Sequence, residues 1–162
     1  MVCDKRAPSL TDKESNRMLR AILAVIVSYV LMFVLIFLAF TCAYYVLGAE
    51  GSFKPGSFAA SNRWIAIAFA VNFVVAVIGG LMCAAIAKGG KVPIALAVVV
   101  FVLGLLLSVP SLMVPRADAV RAGDVPMFEA MQKAKEPPWV PLTFPIVGAI
   151  GVLIGAKLKR KS

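Results

Sequence analysis

Four stretches of this 162-residue chain contain no Asp, Glu, Lys or Arg: residues 21–49, 64–87, 92–115 and 137–156. Each is predominantly apolar. A helix rises about 1.5 Å per residue, so a hydrocarbon core roughly 30 Å thick is crossed in about 20 residues. Inside hydrocarbon every backbone N–H and C=O needs a partner within the protein, which leaves helices or closed barrels as the spanning structures. The chain reads as an all-α integral membrane protein with four transmembrane helices in an antiparallel bundle, the spans lying near 21–47, 64–87, 92–114 and 139–157. Residues 1–20 are then a basic cytoplasmic leader, 115–138 the main outer loop and 158–162 a basic tail, with one membrane domain at 21–157.

A hydrophobic share of 61% excludes a soluble fold around one core. The formal charge of +9 does not signal nucleic acid, because the basic residues sit at the ends of apolar runs, where they anchor helices at headgroups. Eleven Lys and Arg lie in the leader, the 88–91 loop and the tail, against six in the other two loops. The positive-inside rule therefore places both termini in the cytoplasm, and the cell inner membrane is the expected location. Tyr44, Tyr45, Trp64 and Trp139 all fall at span ends on the opposite side, the level that amphipathic rings favour as interface anchors. The first apolar run is too long for a signal-peptide core of about 7–15 residues and reads as a retained span. Neither terminus carries a lipidation signal. Cys3, Cys42 and Cys83 form no disulfide framework, since the last two fall near opposite faces of the membrane.

Local signals set the connections. Thr11 and Glu14 form a capping box that starts a helix near Asp12 and runs it into the first span. Lys88-Gly89-Gly90-Lys91, with Pro93 beyond, reads as a tight connection that makes the second and third spans neighbours. Pro137, Pro138, Pro141 and Pro145 crowd the fourth apolar run. From Val140 to Ala156 it covers only about 25 Å, so a kink or ragged start is expected, with a re-entrant segment as the rival. Ser108, Pro110 and Ser111 soften the end of the third span.

Within the second span Ala68, Asn72, Ala76, Gly80 and Ala84 recur every four residues, aligning a ridge of small side chains around one amide. The fourth span offers Gly148, Gly151, Gly155 and Ala156. Small residues let helix backbones approach closely, and an amide in lipid finds a partner on a neighbouring helix. Tyr29, Thr41 and Ser108 are the partners considered for Asn72. In the outer loop Asp124 is placed to cap a short amphipathic helix, with Pro126 in its first turn and Met127, Phe128, Met131 and Ala134 along one face.

The chain has no His, and its four apolar runs hold no Asp, Glu, Lys or Arg. That removes the commonest general base and metal ligand, as well as the intramembrane charges on which coupled carriers depend. The four acids of the outer loop are interleaved with cations and have no ligand spacing. No catalytic, cofactor or metal residue is assigned. The expected role is a non-enzymatic structural or accessory subunit in the lipid bilayer. It would associate with itself or with a larger membrane complex through the second span, the fourth span and the outer loop, where Asp124, Met127, Phe128 and Met131 are the partner residues. The alternative is a small-solute channel or carrier subunit with an uncharged path past Asn72, Ser108 and Thr41. An enzyme using Asp124 and Arg121 lacks a paired base or nucleophile.

Overall fold

The computed structural model describes residues 10–87, 91–113, 120–121 and 123–161. The fold is all-helical: α1 (Leu10–Ser52), α2 (Asn62–Ala87), α3 (Val92–Met113), α4 (Met127–Lys133) and α5 (Trp139–Lys161). By length and composition α1, α2, α3 and α5 are each able to cross a membrane. The glycine pair of the 88–91 connection lies outside the described residues.

α1 carries the leader into the first apolar run and changes direction at Gly48, where φ is 65° and ψ is −179°. That conformation is essentially reserved for glycine. α2 begins where Ser61 Oγ accepts the Trp64 N–H at 3.1 Å, a side-chain cap on a donor the helix cannot serve itself. At its far end Arg20 Nε donates to the Ile86 carbonyl at 2.6 Å, placing a cation on the last turn. α5 is one continuous helix of 23 residues, about 34 Å at 1.5 Å per residue. The crowded prolines therefore shorten it less than expected. Pro141 falls in the first turn, where a missing N–H is tolerated, and Pro145 is carried inside the helix.

The packing order departs from the chain order. α2 packs chiefly against α5 and α1, α3 packs chiefly against α5, and α2 touches α3 sparsely. The short connection thus does not make α2 and α3 principal partners. The reason is side-chain size. A methyl built on Gly80 would overlap the Val152 carbonyl oxygen, and one built on Gly155 would overlap the Val77 carbonyl. Gly151 sits so close to α2 that its added Cβ would lie 2.7 Å from Ala76 Cβ. Glycine is what permits this approach. α3 presents mostly Val and Leu and, with one glycine at 104, cannot come as near.

Residues that meet across α2 and α5 rise together in number, from Asn72 with Gly148 to Leu81 with Gly155, so these two helices run in the same direction. Around this pair a core of Ala24, Met32, Val75, Ala76, Cys83, Leu96, Ala97 and Val152 is closed to the surface. The outward flanks are apolar too, with Phe33 68% and Leu107 71% exposed. Surfaces of that kind fit hydrocarbon rather than water.

Candidate functional site

At one end of the bundle the loops fold into a cap. Lys54-Pro55-Gly56-Ser57 makes its turn with Gly56 at φ 68°, as the third position of a type II turn after proline requires. Lys54 N–H donates to Ala59 O at 2.8 Å, and Ser61 N–H to Ser52 O at 2.9 Å. The chain after α4 joins this loop: Ala60 N–H donates to Lys135 O and Lys135 N–H to Phe58 O, both at 2.9 Å. Arg121 N–H donates to Gly56 O at 3.1 Å and brings in the segment before α4. Beneath these bonds Tyr44, Ala49, Phe53, Phe58 and Ala130 form an apolar cluster.

Arg121 is the polar post of the cap. Its buried guanidinium donates to Glu50 Oε1 at 2.6 Å and to Gly123 O at 2.7 Å, tying the end of α1 to the segment before α4. Tyr44 adds a second tie by donating its hydroxyl to Val125 O at 2.6 Å. Lys133 Nζ meets Glu129 at 2.8 Å and lies 5.4 Å from the centre of the Phe58 ring.

Below the cap, α5 is held at its proline. Pro145 has no N–H, so the carbonyl of Pro141, four residues back, loses its helical donor. Ser108 Oγ, from α3, reaches that carbonyl at 2.6 Å. It also lies 2.7 Å from Gly104 O, but that oxygen is already served in the helix by the N–H of Ser108. The single hydroxyl hydrogen therefore does most for Pro141. Gly104 faces the Pro145 ring, and a Cβ there would lie 2.7 Å from Pro145 Cγ. Asn72 Nδ2 donates to the Phe144 carbonyl at 3.0 Å. Its partner is thus a backbone oxygen of α5, and not Tyr29, Thr41 or Ser108. Thr41 bonds within its own helix, to Phe37 O at 2.7 Å.

Two adjoining cavities open on this side. The upper one, about 460 Å³, runs from Trp64, Tyr44 and Phe53 down to Phe33 and Ile36, with Met127, Met131 and Ala134 along its cap side. The lower one, about 350 Å³, is lined by Tyr29, Asn72, Val100, Gly104, Ser108 and Pro145 among others. Phe33, Ile36, Phe144 and Glu136 line both, so the two adjoin as parts of one recess on this side.

The structure brings the two small-residue ridges together. Ala68, Ala76, Gly80 and Ala84 are buried, Gly151 and Gly155 of α5 lie on the α2 backbone, and Gly148 faces the side chains of Val100 and Asn72. The cap rearranges the loop expectations. α4 has Pro126 at its N-cap and no side-chain cap bond, so Asp124 does not serve it. The packed side of α4 is Ala130 with Met127 and Ala134, whereas Phe128 is 73% exposed and Met131 is turned toward the upper cavity. With only seven residues, α4 has room for one buried turn, and the small Ala130 is its residue buried in the cluster with Phe53 and Phe58. Of the four aromatic residues at span ends, Tyr45 and Trp139 are exposed, the latter stacked on Phe69 at 6.0 Å, while Tyr44 is buried as a strut and Trp64 packs on Phe40 and Tyr44. Sequence reading missed Arg121 as a buried post. The Pro55-Gly56 pair was the available signal for the cap's turn, but nothing local marks which cation a turn will bury.

Among the described residues no group of three or more His, Cys, Asp or Glu is placed to hold a metal ion. Arg121 spends its terminal guanidinium nitrogens on Glu50 and Gly123. Compared with protein-family models, curated proteins and solved structures, the chain matches none.

Proposed function

We propose that this chain is a non-enzymatic accessory subunit of the cytoplasmic membrane, crossing it four times in an antiparallel sense with both termini in the cytoplasm and the cap outside. One observation carries the reading. Four polar side chains on the long helices spend their bonds on the chain's own carbonyls: Thr41 on Phe37, Asn72 on Phe144, Ser108 on Pro141 and Thr143 on Trp139. They hold helices rather than offer a path. The α2–α5 glycine seam is likewise used inside the molecule. Association with itself or with a larger complex then falls to the cap, where Phe128 and Met131 stand exposed.

The alternative, a small-solute channel or carrier subunit, draws on Asn72 and Ser108 lining the lower cavity. Flux measurements in reconstituted vesicles separate the two. The accessory reading expects leakage of small uncharged solutes no faster than from empty vesicles, whether Asn72 is present or replaced by Leu. A flux that falls with Asn72→Leu favours the carrier. Reporter fusions at residue 162 should be active only in the cytoplasm, and activity across the membrane would overturn the topology.

A further inference from the structure

We infer that the recess beneath the cap holds one long hydrocarbon chain of a bilayer phospholipid, an inference that rests on the membrane reading above. The rim residues Phe33, Phe37 and Met131 are exposed, so the recess is continuous with the apolar flank that α1 turns outward. In a bilayer that flank is already covered by acyl chains. An empty apolar void forfeits the dispersion contacts of its walls, and such voids take up apolar molecules rather than water.

Size selects the occupant. Volumes of about 460 and 350 Å³ fall in the range of pockets that enclose a small ligand. A partner helix about 10 Å across and 30 Å long would need roughly 2,000 Å³, so it could lie only across the mouth. Ile36 and Phe144 line both cavities, so a single hydrocarbon chain would run past them from the upper to the lower. Glu136, from the segment between α4 and α5, lines both cavities and is the one carboxylate along that path. Deeper in, Asn72 Nδ2 and Ser108 Oγ already donate to α5 carbonyls.

The chain's two tryptophans report on the two questions separately. Trp64 lines the upper cavity, and Trp139 lies outside it on the flank of α5. The full chain is reconstituted into phosphatidylcholine vesicles whose acyl chains carry bromine, which quenches indole fluorescence on contact. Trp64→Phe leaves Trp139 to report insertion, and Trp139→Phe leaves Trp64 to report the recess. Both reporters should be quenched. Narrowing the recess by Ile36→Phe or by Ala134→Leu should cut the Trp64 quenching roughly twofold, as expected when one face of the ring loses its lipid contact, while quenching of Trp139 stays unchanged. A quenched Trp139 beside an unquenched Trp64 overturns the lipid assignment alone and points to another protein chain over the mouth. Trp64 quenching that neither substitution alters overturns it as well. An unquenched Trp139 overturns this assignment and the membrane reading together.

Discussion

Replacing Ser108 by Ala should destabilise the bundle through a backbone atom on another helix. The hydroxyl is the donor for the Pro141 carbonyl, which Pro145 has deprived of its helical N–H. Interhelical hydrogen bonds in bilayers average about 0.6 kcal/mol and reach about 1.7. A buried acceptor left without any donor costs about 1–3 kcal/mol. Ser108→Ala does both at once, so a loss of about 1–2 kcal/mol is expected, a fall of roughly 5- to 30-fold in the folded-to-unfolded ratio. Asn72→Leu is the internal comparison. The Phe144 carbonyl keeps the N–H of Gly148 in the α5 ladder, so its loss should be about 0.6 kcal/mol. The decisive step is a double-mutant cycle with Pro145→Ala, which returns an N–H to Pro141. In that background Ser108→Ala should cost about 0.5 kcal/mol or less, leaving a coupling near 1 kcal/mol. Equilibrium unfolding in mixed micelles, followed by helicity, measures all four corners. Equal costs for Ser108→Ala in both backgrounds would refute the assignment of that hydroxyl to the proline gap.

Other outcomes follow from the same geometry. Gly155→Ala puts a methyl on the α2 backbone at Val77 and should cost about 1–3 kcal/mol in the same assay, whereas Gly148→Ala meets side chains, Val100 Cγ1 at 3.1 Å and the Asn72 amide at 3.8 Å, and should cost under about 1 kcal/mol. Equal losses would show that the seam is not set by backbone approach. In the cap, Arg121→Ala removes a buried donor to both Glu50 and Gly123 and should cost about 2 kcal/mol, seen as faster proteolysis of the loops. Glu50→Gln should cost under about 1 kcal/mol, because the carboxylate is 72% exposed and water screens it. A larger effect from Glu50 than from Arg121 would overturn the role of the guanidinium as the post.

What the sequence alone determined is the set of helices. Runs free of charge over 21–49, 64–87, 92–115 and 137–156 correspond to α1, α2, α3 and α5 because the need to satisfy backbone groups in an apolar segment is local. The small-residue ridges of α2 and α5 were legible for the same reason, since the spacing of four is a property of one helix. Which helices would meet was not. When every face of a helix is apolar, hydrophobic periodicity carries no information about the buried side, and closeness of fit decides instead. The glycines of α5 therefore took α2 as their partner in preference to the nearer-in-sequence α3. The bond of Asn72 to a main-chain oxygen, the rescue of Pro141 by Ser108 and the burial of Arg121 were likewise decided only in three dimensions. Each joins groups at least 33 residues apart or buries a side chain under a loop distant in sequence, and no local pattern encodes such a meeting.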